Sequence, residues 1–208
     1  MNKIYIYPRY IRLWHMLNAL FMLILILTGL SMQYSSVDGS LMPFSVSVQM
    51  HNISGIVLAA SYLLFLIGNI VSGNGKHYRL HWQGLRKRLF IQGRYYLYGY
   101  FRKQPPPYPV NSDRKFNPLQ AVTYVMVMYI GLPVVVITGF GLLFPEIIAA
   151  GIAGVNGLVL TDLLHVIMGF LLSIFMIIHI YLCTMGASPR HNFRAILTGW
   201  HTTEEHNE

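Results

Sequence analysis

Acidic residues are scarce in this sequence: there are seven, against fifteen lysines and arginines, and charged residues fill only 11% of its 208 positions. A soluble domain of this size needs a denser charged surface. Cysteine occurs once, at Cys183, which excludes an internal disulfide and any site built from paired thiolates. Lysine and arginine are absent from residues 13–75 and again from 116–189.

Those stretches are filled by apolar residues, which make up 54% of the chain. A helix needs roughly 20 mostly apolar residues to cross a bilayer. Four segments qualify, about 11–34, 47–72, 117–144 and 158–186. The first starts too late and runs too long for a cleaved signal peptide, and no small-residue cleavage site follows it. It reads as a retained span. The expected fold is an all-α integral membrane protein, a bundle of four transmembrane helices forming one domain over residues 1–208.

The basic residues fall into three groups. Lys3, Arg9 and Arg12 precede span one, ten lie between spans two and three, and Arg190 and Arg194 follow span four. The loops after spans one and three carry only Asp38, Glu146 and Asp162. Cytoplasmic loops hold the excess of Lys and Arg, so both termini and the middle loop, 73–116, are expected to be cytoplasmic. The net charge of +8 then reports topology and suits the anionic headgroups of membrane lipids. It gives no reason to expect nucleic acid as a partner.

Within the middle loop Trp82, Leu85, Leu89 and Phe90 recur at helical spacing among basic residues. This predicts an amphipathic helix on the inner membrane surface, ended by the prolines at 105–107. "NFRAILTGW" reads as a short surface helix before a polar tail, and "MNKIYIYPRY" as a short basic arm. Pro133, inside span three, is expected to be a tolerated kink. No internal repeat is visible.

The chain has nine histidines. His77, His81, His191, His201 and His206 fall in the cytoplasmic loops or tail and read as solvated. His15, His51, His165 and His179 lie within or at the edges of spans, where ionisable residues are rare and functional. From His165 to His179 a helix turns about 1400°, some 40° short of four full circles, and rises roughly 21 Å. The two therefore share one face of span four, one near each side of the membrane. His51, at the outer start of span two, is level with His165. His15, at the inner start of span one, is level with His179.

A facing pair of imidazoles at each depth suits bis-histidine ligation of a haem iron. Ligation also removes the cost of burying the rings. No C-x-x-C-H occurs, so haem would be held non-covalently. Gly55 follows His51 by one turn and Gly169 follows His165 by one turn, where a missing side chain lets a flat macrocycle approach. Gly29 offers the same relief on span one. Two other readings use these residues: histidines hydrogen-bonded to neighbouring helices with glycines at ordinary helix contacts, and a proton or metal-ion relay. The relay fits less well, because the span interiors contain no carboxylate.

"RLWHMLNALFMLILILTG", "MHNISG", "RKFNPLQAVTYVMVMYIGLPVVVITG" and "LLHVIMGFLLSIFMIIHIYL" together resemble the four helices of the di-haem cytochrome b subunits of the bacterial b561-like superfamily. These subunits serve membrane-bound NiFe hydrogenases, formate dehydrogenases and thiosulfate reductases. "KFNPLQ" and "RYYLYG" look most like the thiosulfate-reductase branch. The resemblance implies two haems b in a bacterial inner membrane, with His15 and His179 holding the cytoplasmic-side haem and His51 and His165 the periplasmic-side one.

It also implies menaquinone or ubiquinone as substrate, bound near the inner haem and His179 by the Asn of a K-[FY]-N-x-x-Q motif, here Asn117. A small residue two positions on lines that site in the relatives; here it is Leu119. Lys115 and Arg114 would supply positive charge to the quinone. Arg9, Arg12 and Lys115 are placed to meet the inner propionates, whereas the outer side offers no Lys or Arg. The implied partner is a periplasmic redox subunit: an Fe–S protein, hydrogenase, molybdoenzyme or multihaem cytochrome c. Such a chain carries electrons and has a quinone site but no other catalytic site. A self-contained b561-type quinol oxidoreductase that reacts with a small diffusible molecule is the alternative. The short, plain outer loops favour the first.

Overall fold

The computed structural model describes residues 2–35, 41–73, 75, 80–109, 116–148, 150–152, 154–185 and 188–203. Four apolar helical stretches of 25, 28, 26 and 27 residues are long enough to cross a membrane. Proline marks half of their ends. Pro8 immediately precedes α1 (Arg9–Gln33) and Pro43 precedes α2 (Phe44–Val71). α3 (Leu85–Arg94) lies in the middle loop. Pro118 is the first residue of α4 (Pro118–Met126), where its missing N–H costs nothing. α5 (Leu132–Leu143) stops just before Pro145. α4 and α5 together form the third span. α6 (Gly157–Cys183) starts where Asn156 Oδ1 accepts the Leu158 N–H at 2.9 Å.

Pro133 does more than bend span three. A proline cannot donate to the carbonyl one turn earlier, and the chain answers with a π turn at Val127–Gly131. The Tyr62 hydroxyl, on α2, donates to the Met128 carbonyl of that turn at 2.7 Å. The kink is thus tied to a neighbouring span.

The chain divides into two compact units, one of Met1–Arg12, Gly68–Val127 and Ile178–Glu208, the other of Leu13–Ile67 and Met128–Ile177. In the second unit the most completely buried side chains are Thr28, Ser31 and Ser47. Lipid solvates apolar side chains as well as a protein core does, so membrane helices associate through small residues and hydrogen bonds. The Ser47 hydroxyl donates to Ser31 Oγ at 3.0 Å, and Ser31 Oγ also accepts the Met42 N–H at 3.1 Å. Further along the same two helices, Trp14 Nε1 donates to the Ser61 carbonyl at 3.0 Å and Asn18 Nδ2 to Ser61 Oγ at 2.8 Å.

In the first unit α3 continues into a π turn at Tyr95–Gly99. Trp82, beside α3, and Phe90, on it, are 75% and 71% exposed. The arm is tied down by residues 199–203. β1 (Asn2–Tyr5) pairs antiparallel with the last strand, Trp200–Thr203, with Tyr5 opposite Trp200. Between spans three and four a hairpin forms from β2 (Gly151–Ile152) and β3 (Val155–Asn156), so the last strand is β4. α7 (His191–Thr198) ends at Gly199, whose φ of 89° suits glycine. The Gly199 carbonyl accepts the Ile6 N–H at 2.9 Å, and Arg12 Nη1 donates to the Thr198 carbonyl at 3.0 Å. A Cβ on residue 199 would lie 2.6 Å from Tyr5 Cε2, so only glycine closes this clasp.

Candidate functional site

Within the second unit four side chains from four helices form one line. The His51 and His165 rings, on α2 and α6, face each other with centres 6.2 Å apart and planes at 71°. Behind each ring stands a threonine. Thr28 Oγ1, on α1, is 2.9 Å from His51 Nδ1, and Thr138 Oγ1, on α5, is 3.0 Å from His165 Nδ1.

Each threonine's own proton is already committed. Thr28 donates to the Ile24 carbonyl at 2.7 Å, and Thr138 to the Val134 carbonyl at 2.7 Å, the helix back-bonding open to a β-hydroxyl. The oxygen is then left as an acceptor, so the facing Nδ1 carries the hydrogen. Nε2 of both rings is left with a lone pair.

This geometry fits a haem iron. Two imidazoles ligating one metal from opposite sides place their centres about 6.3 Å apart, given roughly 2 Å for each metal–nitrogen bond. Among the described residues no three His, Cys, Asp or Glu side chains cluster as an ion-binding set. A metal held by these two histidines would have coordination positions left over, which the nitrogens of a planar macrocycle would fill. On α6 a Cβ on Gly169 would meet no atom within 4 Å, so no side chain stands in the way there. Gly55 is nearly as open, its nearest neighbour being Leu25 Cδ2 at 4.0 Å.

Gly29 faces something else. A Cβ there would lie 3.6 Å from His51 Cε1, and one on Gly139 would lie 3.1 Å from His165 Cε1. These glycines make room for the imidazoles themselves. Thr28, Thr138 and Gly139 went unrecognised in the sequence, although the signal is there: the pair Thr-Gly occurs in span one and again in span three.

His15 and His179 fall in different units, and each has its own surroundings. His15 Nδ1 is buried, on α1 beside Trp14, which stacks on Phe65 at 4.6 Å. His179 lies 6.2 Å from the Tyr124 ring, centre to centre, and its Nε2 is 3.9 Å from Cys183 Sγ.

Asn117 is the N-cap of α4. Its Oδ1 accepts the Gln120 N–H at 2.9 Å while Gln120 Oε1 accepts the Asn117 N–H at 3.1 Å, a complete capping box. Its Nδ2 donates to the Tyr96 hydroxyl at 2.8 Å. Burial pushes the Tyr96 hydroxyl above its ordinary pKa, against the hydrogen bonds from Asn117 and Gln92. Tyr96 comes from the π turn of "RYYLYG" and was not singled out from the sequence. Arg12, expected at a propionate, is bonded through Nη1 to the end of α7. Lys115, Arg114, His77 and His206 lie outside the described residues. His201 is half-buried, with its ring 4.8 Å from that of His191.

Two facing imidazoles inside apolar spans, each backed by a threonine of another span, point to the class of membrane cytochromes. Residues 6–199 match the family described as prokaryotic cytochrome b561, and the chain belongs to that family. It is 37% identical over 200 residues to a protein of Escherichia coli (strain K12) assigned as cytochrome YdhU, an alignment covering 96% of this chain and 75% of the relative. No solved structure matches it. Family membership implies haem b and electron transfer in a membrane.

Proposed function

We propose that this chain is a di-haem electron-transfer subunit, passing electrons between the quinone pool and a redox subunit on the periplasmic face of a bacterial inner membrane. The observation that carries the reading is the facing pair His51 and His165, 6.2 Å apart. Bound haem would supply reversible one-electron chemistry. The chain's own residues supply the rest. His51 and His165 would hold the outer haem, and His15 and His179 the inner one. The apolar spans exclude water from both.

The sidedness rests on the charge distribution. With lysine and arginine confined to the arm, the middle loop and the tail, both termini face the cytoplasm. The outer side then offers the β2–β3 hairpin and short connections without lysine or arginine, which suit docking to a separate redox subunit better than building a substrate pocket. Quinone would bind near His179, against Asn117. One of the two Nδ2 hydrogens of Asn117 is engaged by Tyr96, leaving the other for a quinone carbonyl.

Haem quantitation on the purified protein tests the reading directly. Two non-covalent, low-spin haems b per chain, reducible by a quinol, are expected. A haem-free protein, or one whose haems take no electrons from a quinol, would refute it.

A further inference from the structure

The two hairpins of the second unit repeat one device that the ligand assignment alone does not require. In the first hairpin Thr28-Gly29 on α1 meets His51 on α2, and His51 is followed after three residues by Gly55. In the second, Thr138-Gly139 on α5 meets His165 on α6, followed after three residues by Gly169. Threonine and histidine are 23 residues apart in the first case and 27 in the second.

Both threonines donate to the carbonyl four residues back and face a histidine Nδ1 at 2.9 and 3.0 Å. A neutral imidazole carries its proton on either nitrogen, and only the nitrogen without it binds a metal. An unassisted ring in an apolar span would exchange between the two forms and rotate between them.

We infer that Thr28 and Thr138 are positioning residues that lock His51 and His165 in the Nδ1–H form, aim both Nε2 lone pairs at a single iron, and lower its reduction potential. The inference rests on the haem reading above. The lowering follows from the direction of the hydrogen bond. A ring that donates from Nδ1 gains electron density at Nε2 and becomes a more basic ligand, which favours the ferric over the ferrous state. The paired glycines are part of the device. Gly29 and Gly139 leave the space that the Nδ1–Cε1 edge of each ring occupies beside the helix bearing its threonine.

The test uses the full-length protein in a His15→Ala background, which leaves the outer haem as the one observed. Thr28→Val and Thr138→Val keep the shape and remove the hydroxyl; Thr28→Ser and Thr138→Ser keep the hydroxyl. The valine variants should raise the midpoint potential of the outer haem and shift its low-spin paramagnetic resonance signal, or lower its occupancy at least twofold. The serine variants should stay near the parent. The inference is overturned if the valine variants match the parent in potential, resonance signal and occupancy. It is equally overturned if serine and valine behave alike, since bulk and not the hydroxyl would then matter. Absence of any bis-histidine haem in the parent would remove the haem reading itself, a result distinguishable from either.

Discussion

His51 and His165 reach toward each other from α2 and α6, their ring centres 6.2 Å apart, and neither is held by its own helix. Each is braced from behind by a threonine on a third and a fourth helix. All four spans therefore meet in one line of contacts at this level. The spacing suits two axial ligands better than direct ring contact, which would bring the centres nearer to the 4.8 Å seen for His191 and His201.

Replacing either ring should empty one site and leave the other. His51→Ala and His165→Ala should each halve the haem content, and the remaining haem should keep a bis-histidine spectrum. His15→Ala and His179→Ala should also halve it, with the complementary resonance signal lost. Pairwise combinations decide the pairing. The double variant of His51 and His165 should retain as much haem as either single variant, whereas one combining His51 with His15 should retain none. Any other pattern changes the assignment.

The two ring-facing glycines should differ in tolerance. A Cβ at 139 comes within 3.1 Å of His165 Cε1, tighter than ordinary contact, while a Cβ at 29 stays at 3.6 Å from His51 Cε1. Gly139→Ala forces the His165 ring or α5 to shift, an overpacking cost of about 1–3 kcal/mol. It should weaken outer-haem retention measurably on dilution or mild heating. Gly29→Ala should retain haem as the parent does. Equal behaviour of the two variants would show that these contacts do not set the ring positions.

The spans, the amphipathic loop helix and the four histidines were legible in the sequence because each leaves a local signature: apolar length, basic amphipathic periodicity, an ionisable side chain inside a span. The bracing residues were not. Thr28 and Thr138 are ordinary in a membrane helix, and their meaning arises from a contact 23 or 27 residues away. The unequal spacing also hid the repetition, since a repeat search looks for one period. The clasp between β1 and β4 was missed for a related reason. Its strands are four residues each and sit at opposite ends of the chain, so nothing local marks them as partners.

Asn117 carries two roles that one substitution separates. Serine caps a helix about as well as asparagine, within a few tenths of a kcal/mol, so Asn117→Ser should leave α4 and the haem content intact. It removes the amide that donates to Tyr96 and would face the quinone. Electron transfer from a quinol to the haems should slow about tenfold or more, the order of one lost hydrogen bond of 1.4 kcal/mol. Reduction by dithionite should stay complete. Unchanged quinol kinetics at full haem content would place the quinone elsewhere and leave Asn117 a cap.

The clasp that joins the chain's ends should loosen in mild acid. His201 lies in β4 opposite Ile4 and against His191. Burial, and then the neighbouring His191, hold its pKa below the ordinary value of 6.5. The released strand would carry His201 at its ordinary pKa, so the released form binds the proton more readily than the paired form. The clasp is therefore at full strength above pH 6.5 and weakens as pH falls from there towards the lowered value, by about 1.4 kcal/mol for each unit of depression. Amide exchange in β1 and β4, corrected for intrinsic rates, should lose protection progressively as pH falls below 6.5. His201→Gln cannot take up that proton and should flatten the dependence. Protection that falls equally in His201→Gln would assign the acid sensitivity to another group.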